Sequence, residues 1–420
     1  MNQNGLFCTV SAMKWWIIAF LFCVAAISSV AAETLRPITL IFDDRAITLD
    51  FQLQPELLQQ TPVHFLLVGD MRIPINLEQE LPPAEKLFDI ETEFVTRISP
   101  ENLKAALSEM SIVRAPKQTS VEISLGGKGD IQFEGTPHDG YEINVDRLVS
   151  LLDTAIIGER ADVRVPAKKV FSAVSVVEEL RERGIREIVA IGESNFSGSS
   201  KARETNIRVG AAKFNGSIMG QGKRFSFNDI LENVDESNGF VPELVIKGNK
   251  TEKEQGGGLC QVSTTAFRAA LTGGFPIKSR RAHSYAVPYY KPYGLDAAIY
   301  LGQLDFRFIN DTKGDLLIQT FIEDDNLFFV FYGTNDGRKV QLEGPFVSDF
   351  KKAPTPIVYE SEDLPMGETE LLSTEHHGFR TEWWRYVSHE GKTVRDEFIS
   401  SYRAWPAKIL QGTKKVAKRD

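Results

Sequence analysis

A lone thiol behind three glycines is the feature of this chain best suited to chemistry. Cys260 sits in Gly256-Gly257-Gly258-Leu259-Cys260-Gln261-Val262-Ser263-Thr264-Thr265, and the other cysteines, Cys8 and Cys23, belong to an N-terminal segment that reads as an export signal. With that segment removed the thiol has no disulfide partner, and in an oxidising compartment it stays open to oxidation. A position needing only a small buried side chain would be served by Ala or Ser, so the thiol is read as a nucleophile. Acyl transfer by a thiol requires a thiolate, a proton carrier and donors for the developing oxyanion. At the start of a helix, the Cys260 anion is favoured by the N-terminal dipole and by free amides. Gly257 and Gly258 let the backbone approach a substrate and aim N–H groups at its carbonyl oxygen.

His283 is the only histidine between residues 194 and 333, which makes it the natural base. Asp296 is the candidate to orient it, and separation along the chain is no obstacle because such triads are defined by geometry. Arg280 or Arg281 would hold a substrate carboxylate through a bidentate guanidinium. Ser226 and Asn228 are candidate supporting residues. This chemistry calls for no cofactor. No metal site is expected either, since the adjacent His376 and His377 lack cysteines or carboxylates at ligand spacing. Structural readings stand beside each of these. Cys260, flanked by Leu259 and Val262, also fits a small buried position. His283 also fits a hydrogen-bonded core residue, Asp296 a turn cap after Gly294, and the two arginines a solvated or surface-paired state. Gln261, Ser263, Thr264 and Thr265 are expected to satisfy the first amides of the helix.

The elements that must position these groups form an α+β chain in three blocks. In the first, residues 38–186, strand-like Ile38–Phe42 turns at Asp43-Asp44 into a second run, Ala46–Leu49. Ser99-Pro100 caps a short helix reaching Met110. Strands are expected at 130–133 and 141–144, and Asn144 or Asp146 caps an amphipathic helix with Leu148, Leu151, Leu152 and Ile156 on one face. A strand follows at 161–166, and a helix from Ser175 ends near Gly184. His138, beside Pro137 and Gly140, reads as a surface turn residue. In the second block, residues 194–333, a helix spans Thr205–Phe214 and Phe225–Asn228 is extended. Cys260 opens a helix through Leu271, and strands occupy 304–308, 316–322 and 327–332 around an Asn310-Asp311 turn. The third block, residues 334–406, is all-β with a turn at Gly391. Its tryptophans read as core or as a carbohydrate platform. Residues 407–420 form a basic tail, in which Lys414 to Arg419 reads as a solvated, frayed end.

Residues 1–32 carry Lys14, an apolar run from Trp15 to Ile27 and small residues to Ala32, the parts of a secretory signal cleaved after Ala32. The competing reading is an uncleaved helix tethering the protein to a membrane, which would be its only membrane contact. Either way the location is extracytoplasmic, in the cell envelope. The net charge of −9 argues against nucleic acid as a partner, because such binding draws on a clustered basic surface. With 42% apolar and 25% charged residues, the composition is that of a folded globular chain.

The second block resembles the VanW domain. The likeness runs through Arg203-x-x-Asn206-Ile207, Phe214-Asn215-Gly216, Phe225-Ser226-Phe227-Asn228, Gly239-Phe240, Gly256 to Thr265, Arg280-x-x-His283-Ser284, Tyr289 and Gly294-x-Asp296-Ala297. Ala298 departs from the family, which usually has Thr there, and Ala202 stands where Asn is commoner. The first block resembles the peptidoglycan-binding domain that often precedes VanW, mainly through Tyr141 to Asp146. The third is similar to the G-five type of extension through Arg385, Gly391 and Ser401-Tyr402. The resemblance implies peptidoglycan stem peptides and glycan as partners. Some relatives are linked to L,D-transpeptidation, so the leading expectation is an exported cysteine L,D-transpeptidase joining diaminopimelate residues through a Cys260 thioester. A cysteine peptidase or amidase of stem peptides, and a non-catalytic wall-binding protein, stay open beside it.

Overall fold

The computed structural model describes residues 35–42, 45–68, 71–75, 89–109, 120–137, 140–170, 172–247 and 250–414. The expected export segment, His138 and the tail beyond Lys414 lie outside them. The chain is α+β and divides into two compact units, one within residues 1–41, 48–106 and 143–166, the other within 42–47, 107–142 and 167–420.

In the first unit, Leu58–Val68 is the central strand of an antiparallel sheet between Met71–Ile75 and Asp89–Ile98. The helix Val145–Ile157 starts where Asn144 accepts the Arg147 N–H at 3.0 Å, the role expected for a capping Asn. It buries Leu148, Leu152 and Ala155 but leaves Leu151 on its rim. Asp153 on this helix ties the sheet edge by accepting from Ile98 N at 2.8 Å and pairing with Arg97.

The second unit is built on an antiparallel sheet of Glu187–Asn195 (β1), Leu316–Glu323 (β2), Asn326–Gly333 (β3) and the short strand Ile218–Met219, in the order β1-β3-β2-218/219. Across one face lie two helices, Lys201–Ala212 (α1) and Leu259–Thr272 (α2). The α2 helix is apolar or buried almost all round, the signature of a core helix. It sits so close to β1 that a Cβ on Gly192 would collide with the Thr265 carbonyl and the Ala269 amide. Its Val262, Ala266, Phe267 and Leu271 share a core with Leu316, Ile318, Phe329 and Phe331.

The other face of the same sheet is covered by residues the sequence reading assigned elsewhere. Ser120–Leu125 and Ala173–Val176 pair in parallel, and Val121, Ile123, Val176, Leu180 and Ile185 pack on Leu317, Val330 and Tyr332. The helix expected from Ser175 is confined to Glu178–Glu182, because the β-branched alternation around Val174 and Val176 favours a strand burying one face. The extended reading of Phe225–Asn228 is likewise corrected. Arg224–Ser226 is a strand, and Ser226 then accepts the Asp229 N–H at 3.2 Å to cap a helix over Phe227–Leu231.

The third block is all-β as expected, with Lys339–Lys351 (β4), Gly378–His389 (β5) and Lys392–Tyr402 (β6) in one antiparallel run. Lys408–Lys414 is a strand between Ile357–Pro365 and Thr369–Ser373. Leu342, Trp383 and Phe398 belong to the core that holds α2. Trp383 is fully buried and donates to the Tyr293 carbonyl at 2.8 Å, so it is a core residue rather than a carbohydrate platform. Arg385 reaches the C-terminal end of α2, donating to the carbonyls of Ala270, Leu271 and Phe275 at 3.4, 3.3 and 3.0 Å. It thereby satisfies carbonyls that the helix leaves open and neutralises its negative end. Trp383→Ala is expected to cost about 3–5 kcal/mol. In a denaturant melt, the 187–333 region and the β4–β6 strands should unfold together at a lower midpoint. A separate, unshifted transition for the 187–333 region would show that the shared core is not cooperative.

Candidate functional site

The turn before α2 is fixed by α1. Gly258 caps α2 with φ 116°, a left-handed value that favours glycine, and a Cβ there would press on the Arg203 carbonyl at 3.1 Å. Asn206, fully buried on α1, donates to the carbonyls of Gly257 at 3.0 Å and Val241 at 2.9 Å, and accepts the Val241 N–H at 2.8 Å. Leu259 N–H goes to Gly256 O and Gln261 N–H to Gly258 O, so the Cys260 N–H between them has no backbone acceptor among the described bonds. It is a free donor beside the half-buried thiol.

The polar residues after Cys260 do not satisfy helix-start amides, as the sequence reading expected; the cap carries no side-chain bond. They tie α2 sideways instead. Ser263 donates to Ala297 O at 2.6 Å, Thr264 accepts Ala297 N–H at 3.0 Å, and Gln261 donates to Ser194 Oγ at 2.7 Å. The first two bonds lock the helix to the segment carrying Asp296 and the third to β1, because buried polar groups are held to their partners by the cost of leaving them unpaired.

Asp296, 1% exposed, collects donors from three directions. Its Oδ2 accepts the His283 backbone N–H at 2.7 Å and lies 2.5 Å from His283 Nδ1. Its Oδ1 accepts from Tyr402 Oη at 2.6 Å and from Arg280 at 3.3 Å. With the carboxylate ionised, Nδ1 is the donor, which leaves Nε2 for the reaction. Tyr290 stacks on the imidazole, centroids 4.6 Å apart and 20° between planes. Nε2 is buried without a hydrogen-bond partner, while the thiol points at the Ile299 carbonyl, Sγ to O 3.7 Å. The thiol and imidazole are nevertheless near enough to perturb each other.

Burial works against charge on all three groups, and the charged partners outweigh it. Desolvation pushes the Cys260 thiol up, but the neighbouring His283 and, more weakly, Arg203 bring it below its ordinary value. Burial would lower His283; Asp296 first and Cys260 second carry it up to about 10. Burial would raise Asp296, yet His283, Arg280 and Tyr402 hold it far below the usual carboxylate range. These shifts all favour a thiolate–imidazolium pair over an ionised carboxylate. The sign for pH follows directly. Thiolate grows in as pH rises through the depressed Cys260 value, and the imidazolium is lost only as pH approaches about 10. Alkylation of Cys260 by iodoacetamide should already be fast at neutral pH. In His283→Ala, burial is left without its main opponent, so the acid limb should move to higher pH; an unmoved limb would mean the pair does not form.

Of the candidates from sequence, Cys260, His283 and Asp296 come together, with Gly257 and Gly258 in the turn beside the thiol. Arg280 is turned onto the protein itself. Its side chain is 6% exposed and spent on Asp296 Oδ1, Asp296 O at 2.6 Å and Gly294 O at 2.8 Å. Arg281 is exposed. Ser226 and Asn228 are bound to Asp305 and Leu304 and hold a turn: Ser226 Oγ donates to Asp305 Oδ2 at 2.8 Å, Asn228 N to Asp305 Oδ1 at 3.0 Å. Tyr402 and Arg203 were missed. Tyr402 donates to Asp296 and accepts the Gly294 N–H at 2.8 Å, from a strand of the third block with no local signal of that role. Arg203 had a signal, its i, i+3 spacing from Asn206 on the helix that fixes the glycine turn. Among the described residues no group of three or more His, Cys, Asp or Glu side chains could hold a metal ion. An open cavity of about 580 Å³, lined in part by Asp130, Glu179, Arg183 and Ile218, contains none of these site residues.

The site thus places a half-buried thiol at a glycine-capped helix start near a buried His–Asp pair, within an α+β domain. Residues 202–332 match the family described as VanW like protein, and the chain carries a VanW-like domain. It is 31% identical over 140 residues to the uncharacterized protein YoaR of Bacillus subtilis (strain 168), covering 33% of this chain and 46% of that protein. It is 27% identical over 126 residues to the vancomycin B-type resistance protein VanW of Enterococcus faecalis (strain ATCC 700802 / V583), covering 29% of this chain and 46% of that one. The chain thus spans about half the length of these curated relatives. A structure titled IgA1 protease G5 domain aligns over 20% of this chain and 100% of its own length, at 20% identity and a TM-score of 0.13.

Proposed function

We propose that this is an exported cysteine acyltransferase of peptidoglycan stem peptides, an L,D-transpeptidase in which Cys260 carries the acyl group. The observation that carries the reading is the buried Asp296–His283 pair, with Nε2 lacking any hydrogen-bond partner and the thiol perturbed by the imidazole. Family membership of residues 202–332, together with the resistance role in the name of one relative, supports a cell-wall substrate.

In the proposed reaction the Cys260 thiolate attacks the carbonyl of the third stem residue. The oxyanion is met by the free Cys260 N–H. The C–N bond to the terminal residue breaks as His283 Nε2 protonates the departing amine, leaving a thioester and neutral imidazole. The side-chain amine of a second stem then attacks the thioester, His283 takes its proton, and the thiolate leaves. Asp296 keeps Nδ1 protonated throughout, and Tyr402 and Arg280 keep Asp296 ionised. Water in place of the second amine gives the peptidase reading. A non-catalytic wall-binding protein, in which the glycine loop is only structural, is the third reading.

The test is mass spectrometry of tetrapeptide muropeptides incubated with the full chain. Dimers lacking one D-alanine are the expected product. Tripeptides without dimers would replace the transferase by a hydrolase, and absence of both products and of any Cys260 adduct would overturn the enzyme reading.

A further inference from the structure

Arg203 is held beside the thiol by neutral groups alone. Its Nη1 donates to Ser199 Oγ at 2.6 Å and its Nη2 to Gln261 Oε1 at 2.8 Å, on the residue next to Cys260. Its guanidinium lies over the Tyr289 ring, 4.3 Å from the centroid, and the Tyr290 hydroxyl is within its reach. No carboxylate of the described residues forms an ion pair with it, whereas the buried Arg280 and Arg385 are matched by Asp296 and Asp396. The side chain is half-buried. A half-buried guanidinium fixed by four neutral partners has no carboxylate counter-charge among the described residues and is available to an arriving carboxylate. The bonds to Ser199 and Gln261 also remove the rotamer freedom that ordinarily weakens an exposed arginine's hold on an anion.

We propose that Arg203 forms a carboxylate subsite for the acyl donor, taking the terminal carboxylate of the residue that Cys260 expels. The proposal rests on the acyl-transfer reading and names the feature that reading leaves open, the basis of donor choice. One residue spans at most ~3.3–3.6 Å, so a group held next to the thiol engages the residue adjoining the scissile carbonyl rather than the distant stem. The donor is thereby selected as a chain end. The thiolate forms the thioester, the C–N bond breaks, and the leaving amino acid departs with its amine protonated by His283 and its carboxylate on Arg203. Arg280, the cation expected from sequence to do this, is consumed by Asp296.

The experiment compares alkylation of Cys260 in the full chain by iodoacetate and by iodoacetamide, reagents of similar size that differ in a carboxylate. Their rate ratio cancels the thiolate fraction, so it separates a carboxylate subsite from a general effect of Arg203 on thiol ionisation. Relative to a free cysteine peptide, the wild-type ratio should favour iodoacetate by about 10-fold or more. Arg203→Met should reduce the ratio about 10- to 100-fold, and Arg203→Lys should keep part of it. An unchanged ratio in a Met variant that melts like wild type overturns the subsite. In wild-type protein alone, N-acetyl-D-alanine should slow iodoacetamide more than N-acetyl-D-alanine amide does; equal protection also overturns it. These readouts need no transfer activity. A normal ratio with no muropeptide product would sink the acyltransferase and leave the carboxylate subsite standing, and dimers from a chain without discrimination would do the reverse.

Discussion

Cys260→Ala is expected to abolish both thioester formation and cross-linked product, because alanine offers no nucleophile and no other cysteine lies among residues 24–420. The loss should not come from unfolding. Cys260 is half-buried at the first turn of α2, and the hydrogen bond its sulfur makes is the 3.7 Å contact with Ile299 O. Cys260→Ser should be nearly as inactive, since a hydroxyl needs a far stronger base than an imidazole already protonated up to about 10. His283→Ala should lose a factor on the order of 10²–10⁴, the usual contribution of a positioned general acid–base. Intact-protein mass spectrometry for the acyl adduct and muropeptide analysis read all three. Product formed at the wild-type rate by Cys260→Ala would refute covalent catalysis at this thiol.

Asp296→Ala is expected to damage the fold as well as the reaction. Four donors converge on this buried carboxylate, from the His283 backbone, His283 Nδ1, Tyr402 and Arg280. Removing it leaves Arg280 as a buried cation without its counter-charge, and it also strips Arg268 of an attraction that opposes its burial, which already lowers that arginine to about 10. Breaking a buried pair by deleting one partner costs about 3–5 kcal/mol. Urea melts at neutral pH would measure this, and a change below about 1 kcal/mol would contradict the network. Asp296→Asn keeps the shape, so it should cost less stability while still losing activity, because an amide no longer fixes the Nδ1–H tautomer. The carboxyl titrates lower in the fold than when free, at 3.8. The stability it adds is thus present above that value and disappears only as pH falls through its much lower folded value.

Much of the site was legible from residue types. A lone cysteine behind glycines, one histidine in the block and an aspartate after Gly294 pointed to three side chains that the fold brings together. The helix through Leu271, the β2–β3 hairpin and the β5–β6 hairpin were legible too, because each is set by local periodicity and turn chemistry. The hairpin turns at Asp324-Asp325 and Glu390-Gly391 all take positive φ, as tight two-residue turns require. Boundaries fared worse. Lys408–Lys414 carries weak local preference and becomes a strand only because partner strands meet it.

The chain's own pattern singled out Cys260, His283 and Asp296 as candidates and placed the longest helices and hairpins, since those depend on side-chain type and near neighbours. Which cation is free and which is spent depended on contacts between residues far apart in sequence. Arg280 looked available, yet it folds back onto Asp296 and Gly294, while Arg203 is placed beside the thiol by Gln261 and Tyr289. Tyr402 reaches Asp296 across 106 positions, and Arg385 caps α2 from 110 positions away at Phe275. No local rule encodes such bonds. They exist because burying Trp383, Phe398 and Leu342 against α2 brings those strands to the site, and burial is a property of the whole packed core.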